Sequence, residues 1–427
     1  TRATHTIAGG QLTAGTHANS RNPYELVFHL PTNQLNVTSQ IVNNGANAVS
    51  LVKAGASTLV LNPSLSLSTG RTAGFATVTL ASGHLATGLV VGTPVSGAGI
   101  LPGTTIESIV NSTTLVLSQA PISTGTSNLT YTLANTYTGK TYLTEGILQI
   151  TEESALGANP GSFVADQLTL NGGILRTNAD IEFNDANRGI TLGIADGFIR
   201  VASNRTLTLG SANTINGSGG RLFFAADATS TGVLVIEGNN NFSGGLETTG
   251  IQSEPVSGTL SSNYVLGSTQ ATVATTAGLE VGATVTGNGI AEGTTIAAII
   301  DGTTIELSQA AIADGVGVSL AYGGFNTMRL TGDNTIGFIR MLGSSIALLG
   351  NNTLTDDIFV VSGLLRLGGN NAFAGTLTIT GGDVRLESNT GLNAGGNGYV
   401  LNAFGGTFDL NGYSTTVSEL TGNARII

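Results

Sequence analysis

The chain has 427 residues, of which 62 are glycine, and only 10% of its residues are charged. Average proteins contain about 7% glycine and about 25% charged residues, yet the 40% hydrophobic fraction is too high for a disordered chain. Cysteine is absent, which excludes disulfides, thiolate nucleophiles and cysteine-ligated metals. The formal net charge of -11 argues against binding to nucleic acids and to anionic membranes.

Membrane and export signals are also missing from the sequence. Glycine or polar residues interrupt every apolar run before the roughly 18 residues that a membrane-spanning helix needs. The first residue, Thr1, is not a start methionine, and no signal peptide is visible. We therefore expect an internal piece of a longer exported protein, with no direct membrane insertion by this piece.

Patterns typical of β-strands occur along the whole sequence, whereas apolar residues at helical spacing are almost absent. At residues 164–170 a run of alternating apolar and polar residues ends at Asn171-Gly172-Gly173, and another strand pattern follows. Short runs of this kind, bounded by Asn-Gly or Gly-Gly, are typical of β-strands with tight turns. The sequence therefore predicts an all-β protein.

One repeat begins with Gly-Asn-Asn or a close variant, at positions 238, 332, 350 and 369. The last three copies start 18 and then 19 residues apart, which is too short for helical repeats. Such a period predicts one coil of a β-solenoid, in which aliphatic side chains of successive coils stack into one apolar column. Asparagines at equivalent turns are expected to stack into ladders.

A second, longer repeat joins residues 91–120 to residues 281–310, which match at more than half of their positions without a gap. Each copy predicts a small β module of five or so strands with its own core, inserted at 63–133 and at 252–324. Insertions into solenoid coils form loops on one side of the rod. The remaining segments, 1–62, 134–251 and 325–427, are predicted to be solenoid, the last continuing beyond the fragment.

Outside the modules, the sequence resembles the passenger-associated strand repeat of autotransporters and related giant surface proteins. The resemblance lies in residues 53–61, 135–141 and 146–150, with weaker copies at 240–245 and 371–386 and a further stretch at 405–422. It implies a right-handed parallel β-helix on the outside of a bacterium of Gram-negative type, exported through an outer-membrane barrel. The inserted modules depart from that pattern. The fold class that we expect is thus a parallel β-helix with two inserted β-sandwich or barrel-like modules.

Candidate catalytic residues are few. The four histidines, His5, His17, His29 and His84, belong to no zinc-binding or hydrolase motif. The glycine-rich segments 97–103 and 287–293 resemble phosphate loops superficially, but a strand pattern follows each of them, where a phosphate loop needs a helix. We therefore interpret these segments as turns.

Acidic residues are the remaining candidates for chemistry. Oxygen ligands for Ca²⁺ are available from Asp180, Asp185, Asp227, Asp333, Asp356 and Asp357. No segment matches a known calcium motif, so Ca²⁺ remains a possible ligand at an unassigned site, and we expect no other cofactor. Glycan cleavage needs two convergent carboxylates, and one coil of spacing would bring Asp333 near Asp356 and Asp357. Arginines at predicted strand ends would accompany them, namely Arg176, Arg200, Arg340, Arg366 and Arg385.

These observations favour a non-catalytic scaffold on the bacterial cell surface, as a stalk, layer or filament component that displays β modules. No catalytic, cofactor-binding or metal-binding residue is assigned. Low surface charge favours self-association or contact with other surface proteins. The first alternative is an adhesin that binds a glycan or protein of a host or neighbouring cell, and the second is a glycan-cleaving β-helix enzyme.

Overall fold

The computed structural model describes most of the chain in two compact units, Thr1–Gly161 (unit 1) and Ser162–Ile427 (unit 2). The described residues are 3–16, 24–202, 205–217, 219–225, 232–249, 256–276, 279, 283, 285–291, 294, 296–324, 327–394 and 398–427. Within them the chain is all-β, with one short 3-10 helix at Glu153–Leu156. No helix of the described part is long and apolar enough to cross a membrane.

Unit 1 begins with seven strands that belong to three parallel ladders. The strands are β1 (Thr4–Ile7), β2 (Gln11–Leu12), β3 (Glu25–His29), β4 (Gln34–Val37), β5 (Gln40–Ile41), β6 (Ser50–Ala54) and β7 (Thr58–Leu61). Strand β4 pairs with β1 and β7, β3 pairs with β6, and β2 pairs with β5. Each pairing joins strands one coil apart, which is the arrangement of a parallel β-helix. We call this part of each unit its shaft.

Module 1 follows β7 and is antiparallel. Its six strands are β8 (Ser64–Arg71), β9 (Thr77–Leu80), β10 (Val95–Ser96), β11 (Ile106–Ile109), β12 (Thr114–Leu117) and β13 (Gly125–Thr132), in the order β10-β13-β8-β9-β12-β11. The two outer strands meet through an antiparallel bridge between Pro94 and Thr105, so the sheet closes into a small barrel. Alternate residues such as Leu115, Leu117 and Leu129 fill a core of its own.

The chain then returns to the shaft of unit 1. The backbone amide of Thr136 donates to the carbonyl of Ile41 in β5, at 2.9 Å. Two further strands, β14 (Thr141–Leu143) and β15 (Ile147–Ile150), pair in parallel with β6 and β7. Module 1 is therefore inserted between two strands of a single coil.

Unit 2 starts with parallel coils, whose last strand before module 2 ends at residue 249. Their strands are β16 (Val164–Leu170), β17 (Ile174–Thr177), β18 (Ile181–Phe183), β19 (Arg188–Leu192), β20 (Gly197–Val201), β21 (Thr206–Leu209), β22 (Ile215–Asn216), β23 (Leu222–Ala225), β24 (Val233–Ile236), β25 (Asn241–Phe242) and β26 (Leu246–Thr249). Each coil contributes strands to three parallel ladders. The first ladder begins with β17, β20, β23 and β26, the second with β18, β21 and β24, and the third with β16, β19, β22 and β25.

Module 2 lies between β26 and the next shaft strand. It repeats the strand order of module 1 with β27 (Val256–Tyr264), β28 (Gln270–Val273), β29 (Val285–Thr286), β30 (Ile296–Ile299), β31 (Thr304–Leu307) and β32 (Gly315–Gly324). Backbone hydrogen bonds from Val285 to Thr294 and from Ile296 to Ala283 bring its outer strands together. Each module therefore has six strands, where the sequence indicated about five.

The shaft of unit 2 continues with shorter coils. Its strands are β33 (Thr327–Leu330), β34 (Thr335–Ile336), β35 (Ile339–Leu348), β36 (Asn351–Leu354), β37 (Ile358–Leu367), β38 (Asn370–Phe373), β39 (Thr376–Ile379), β40 (Asp383–Leu386), β41 (Tyr399–Ala403), β42 (Thr407–Asp409), β43 (Val417–Gly422) and β44 (Arg425–Ile426). Strands β35 and β37 are long enough to cross from the first ladder into the second.

A column of apolar side chains runs through the second ladder of unit 2. Register partners in successive coils, all buried, are Ile181, Leu207, Leu234, Met328, Ile346, Leu365, Val384 and Phe408. The step from Ile346 to Leu365 is 19 residues, as the sequence period predicts, whereas the step from Ile181 to Leu207 is 26. The apolar stack that the repeats predict is confirmed, although the period varies along the shaft.

Stacked asparagine side chains and stacked glycines lie where the coils of unit 2 enter the third ladder of strands. The side chains of the buried residues Asn240, Asn334, Asn352 and Asn371 donate each to the next, at 2.9, 2.8 and 2.6 Å. Beside them, a Cβ atom added to Gly350 would lie 2.1 Å from the carbonyl oxygen of Gly332, and one added to Gly369 equally close to Gly350. The alignment of these repeat positions along one axis is thereby confirmed.

Candidate functional surfaces

A buried lysine secures the turn that precedes β7 and module 1. The ammonium of Lys53 donates to the carbonyl oxygens of Ala54 (2.9 Å), Gly55 (2.5 Å) and Glu145 (3.1 Å). A carboxylate oxygen of Glu145 accepts from the amide of Gly55, so the two turns hold each other. Burial lowers the pKa of Lys53 to about 8, which the charge of Glu145 partly opposes. These contacts stabilise one coil and leave no free amine for chemistry.

A charged row lies on the first ladder of unit 2, at the coil from which module 2 departs. The nearly buried carboxylate of Glu247 lies 3.1 Å from Arg221 and 3.6 Å from Arg340. Arg221 also contacts Asp196 at 2.7 Å and lies over the ring of Phe223. Burial opposes the shift, but the hydrogen bonds and charge of Arg221 hold the pKa of Asp196 below its usual value. The charges alternate along the row, which is typical of a structural network.

The carboxylates singled out in the sequence accept hydrogen bonds from backbone amides of nearby turns and strands. Asp333 accepts from the amide of Asn351 at 3.0 Å, and Asp357 from the amide of Thr376 at 2.7 Å. Asp356 accepts from the amide of its neighbour Asp357 at 2.9 Å. No group of three or more histidine or acidic side chains with the spacing of a metal site occurs among the described residues. These carboxylates therefore hold turns in place.

Two further aspartates form ion pairs. Asp180 contacts Arg205 at 3.2 Å, and Asp185 contacts the buried Arg188 at 2.8 Å. Asp227 lies outside the described residues. The five described aspartates that the sequence singled out therefore cap turns or form salt bridges.

The arginines named in the sequence fall on two ladders of unit 2. Arg176 and Arg200 are register partners on the first ladder, and Arg366 and Arg385 are register partners on the second. Arg366 binds Glu387 through two hydrogen bonds of 2.6 and 3.2 Å. Arg340 belongs to the row described above. The predicted alignment of some arginines on one face is confirmed. Arg340, Arg366 and Arg385 contact carboxylates of the shaft.

The remaining sequence candidates are peripheral. His5 and His29 are exposed, and His84 is partly buried in module 1, while His17 lies outside the described residues. The segment 97–103 links β10 to β11 without a helix, and a Cβ on Gly97 would collide with Leu129. The described part of 287–293 links β29 to β30 in the same way. Gly97, Gly99 and Gly287 allow close packing at these turns, in agreement with the interpretation of the two segments as turns.

Three exposed apolar side chains lie at the end of module 1 farthest from its connection to the shaft, while others, such as Leu85, Val90, Val91 and Val110, are exposed elsewhere on the module. Strand β8 leaves the shaft at Ser64 and ends at Arg71, seven residue steps or about 23 Å farther out. The turns at this end, which we call tip 1 (residues 72–76, 97–103 and 118–124), are joined by backbone hydrogen bonds. They expose Phe75 and Ile122 to 66% each, and Leu101 to 37%.

Module 2 has an equivalent surface, tip 2, formed by the described residues of turns 265–269, 287–291 and 308–314. Val265, Leu266 and Ile312 are exposed there by 65%, 61% and 62%. Sequence reasoning missed both tips, because it searched the turns for polar chemistry. The available signal was a large apolar residue inside a turn, where Gly, Asn and Ser are usual.

Comparison with known proteins shows a partial similarity to an adhesin. No protein-family model matches the chain. Over 100 residues, 19% of this chain, the sequence is 35% identical to the adhesin BmaC autotransporter of Brucella suis biovar 1 (strain 1330). The matched region covers 3% of that protein. Together with the parallel β-helix, this similarity fits an autotransporter adhesin passenger on the surface of a Gram-negative bacterium.

Proposed function

We propose that the chain is a segment of a surface-exposed passenger of a Gram-negative bacterium, in which a non-catalytic β-helix displays two barrel modules. The observation that carries the proposal is the construction of the shaft, where parallel coils share an apolar column and the Asn240–Asn371 ladder. Such coils bury their backbone groups against each other, so a long, weakly charged chain remains folded without disulfides. The partial similarity to an autotransporter adhesin supports the same location.

The non-catalytic part of the proposal is supported by how the polar side chains are used. The carboxylates of Asp333, Asp356 and Asp357 accept from backbone amides, and Glu247 is held between two arginines. A glycan-cleaving site needs two carboxyl groups facing one substrate, with room for a sugar ring between them. The contacts of these four carboxylates stabilise turns and join coils instead.

An adhesin is the alternative function, and the exposed tips favour it. Contiguous apolar side chains on a soluble protein mark contact surfaces more often than isolated ones do. In this version the modules bind a protein or glycan of another cell. The scaffold version needs only that the modules remain accessible along the shaft.

Surface labelling tests the location. Antibodies raised against the 427-residue chain are applied to intact cells of the source bacterium and to permeabilised cells. We expect equal labelling of both, and loss of the label after brief protease treatment of intact cells. A cytoplasmic protein of the same bacterium serves as the control for leakage. Labelling that requires permeabilisation would contradict the proposal.

A further inference from the structure

Arg71 lies at the end of β8 in module 1 and is exposed by only 8%. Its Nη1 donates to the hydroxyl of Ser127 at 2.8 Å. Its Nε is buried and has no hydrogen-bond partner among the described residues. In a guanidinium group, N–H bonds of Nε and Nη2 point the same way from one edge, and such an edge matches the two oxygens of a carboxylate. This edge of Arg71 therefore presents a buried donor that the described residues do not satisfy.

The positive charge of Arg71 is also uncompensated within its module. Glu107 is the only acidic residue in the sequence of module 1, residues 64–132. It is exposed and belongs to β11, which lies three strands from β8 in the closed sheet. Burying an unpaired charge costs free energy, so a buried arginine normally faces a carboxylate. An anion bound at Arg71 would supply the missing partner.

The turns of tip 1 leave space beside this edge. A Cβ atom added to Gly99 would lie 3.0 Å from the Nε of Arg71 and 2.0 Å from the Oγ of Ser123. The two polar atoms therefore converge on one point, which is open only because residue 99 has no side chain. Ser123 is partly exposed, so rotation of its side chain to another staggered position opens Nε to solvent.

In module 2 a tyrosine occupies the position of Arg71. Arg71 pairs with Gly125 at the end of its strand. In the same way, Tyr264 pairs with Gly315. The hydroxyl of Tyr264 donates to the carbonyl of Asn288, so its polar atom is satisfied. The same barrel thus forms with a neutral, bonded side chain at this position, which indicates that the cation of module 1 serves a purpose other than folding.

The two serines beside Arg71 are replaced in module 2 as well. Ala313 corresponds to Ser123, since each follows the isoleucine whose amide donates to the facing glycine at 2.9 Å. Val318 corresponds to Ser127, since each pairs with the residue two places before the position compared above. Asp314 adds an exposed negative charge at the same end. Module 2 therefore lacks the whole polar cluster and is a natural counterpart for comparison.

We propose that Arg71, Ser123 and Ser127 form a site that binds the carboxylate of an acidic sugar. A carboxylate carries one negative charge, which matches the single guanidinium, and the other polar groups of the site are neutral hydroxyls. A phosphate dianion would bring a second charge that nothing in module 1 neutralises. This inference goes beyond the display of modules by a scaffold, because it assigns a ligand class to one module.

The surroundings of the carboxylate site favour a sugar over an acidic peptide. The hydroxyls of Ser123 and Ser127 are suited to donate to and accept from sugar hydroxyls. Phe75, four residues after Arg71, is exposed by 66% and offers an apolar face to a sugar ring. The backbone amides that join the turns of tip 1 are bonded to each other, whereas an extended peptide needs free backbone groups along an edge.

The test measures binding of small sugars to the complete 427-residue chain by nuclear magnetic resonance titration. The probes are methyl glucuronide and N-acetylneuraminic acid, and methyl glucoside is the neutral counterpart of the first. Arg71→Met removes the charge, and Ser123→Ala introduces the residue found in module 2. Arg425→Met, at an exposed arginine of β44, is the control for the loss of one positive charge. Thermal unfolding confirms that each variant is folded.

We expect at least one acidic sugar to bind with a Kd on the order of 1 mM, and methyl glucoside to bind roughly tenfold more weakly or not at all. Arg71→Met should weaken binding of the acidic sugar by roughly tenfold or more, and Ser123→Ala by a few-fold. Arg425→Met should bind like the unmodified chain. Arg71→Met should not lower the melting temperature, because methionine keeps aliphatic contacts while the unpaired charge is removed.

Several outcomes would overturn this inference. They are the absence of binding of both acidic sugars, equal binding of methyl glucoside and methyl glucuronide, or unchanged binding in a folded Arg71→Met variant. Inorganic phosphate that binds more tightly than either sugar would assign the site to phosphate. Binding of an acetylated aspartate peptide without binding of the sugars would assign it to a peptide. None of these results changes the surface labelling, so the two proposals fail separately.

Discussion

The side chain of Asn334 donates to the side chain of Asn352, one coil away, at 2.8 Å, and both residues are buried. Asn334 also bonds Asn240 on one side, and Asn352 bonds Asn371 on the other. The shaft of unit 2 therefore joins neighbouring coils through side chains as well as through backbone ladders. Each amide is satisfied only if the coil above and the coil below keep their register.

Replacing Asn334 by alanine should therefore destabilise the chain. The change leaves polar atoms of Asn240 and Asn352 buried without their partner, which typically costs about 1–3 kcal/mol in free energy of unfolding. Asn351, which precedes Asn352 in the sequence, is exposed. Asn351→Ala is therefore the matched control and should change the free energy of unfolding by less than about 0.5 kcal/mol. Urea denaturation measures both, and equal effects would argue against the ladder.

The glycine column gives a second prediction. In Gly350→Ala the new Cβ would meet the carbonyl oxygen of Gly332 at 2.1 Å, so neighbouring coils must separate locally. We expect a loss of about 1–3 kcal/mol in free energy of unfolding, as for overpacked cores. The control is Gly302→Ala in module 2, because a Cβ there meets nothing within 4 Å and the backbone needs no positive φ. Its melting temperature should stay unchanged or rise slightly.

Lys53 should make stability depend on pH. Because its pKa is about 8 in the folded chain and 10.5 in the unfolded one, the unfolded chain binds more protons between these values. The free energy of unfolding should then rise with pH in this window. Between pH 7 and 9.5 the gain relative to Lys53→Met should approach about 2 kcal/mol. Urea denaturation of both proteins across that range provides the measurement, and parallel pH profiles would contradict this assignment.

Glu247 offers a test of the charged row. Glu247→Gln removes the negative charge between Arg221 and Arg340, and those two cations then face each other across a neutral side chain. Since both arginines are partly exposed, we expect a loss of about 1–3 kcal/mol. Glu182→Gln on an exposed position of the second ladder is the control, with an expected change below about 0.5 kcal/mol. If Glu247→Gln and Glu182→Gln lower the melting temperature equally, the charged row contributes little to stability.

The sequence predicted the features that depend on local spacing. The Gly-Asn-Asn period predicted the stacking of Gly332, Gly350 and Gly369, and the alternation of apolar and polar residues in the strands predicted the apolar column. It did not predict that Lys53 is buried, because its partner Glu145 is 92 residues away in the sequence and beyond an inserted module. A charged residue in an alternating strand normally indicates a solvated face, and only the fold places carbonyl oxygens around it.

The tips show a different limit of sequence reasoning. Repetition revealed two related modules, but the position of Phe75 and Leu266 at the free end of each barrel depends on strand order. That order is non-sequential, since β13 pairs with β8 and β10. Local patterns specify strands and turns, whereas the pairing of distant strands decides which turns gather at one end.

The most direct test of the coil register uses paired cysteines, which the chain lacks entirely. Asn351 and Asn370 are exposed register partners in adjacent parallel coils, so Asn351→Cys with Asn370→Cys places two thiols at disulfide distance. Mild oxidation should give a rapid intramolecular disulfide in this variant and none in Asn351→Cys with Thr378→Cys, whose second position lies on another ladder. Failure of the first pair to bond, or equal bonding of both pairs, would contradict the stacked coils on which the account depends.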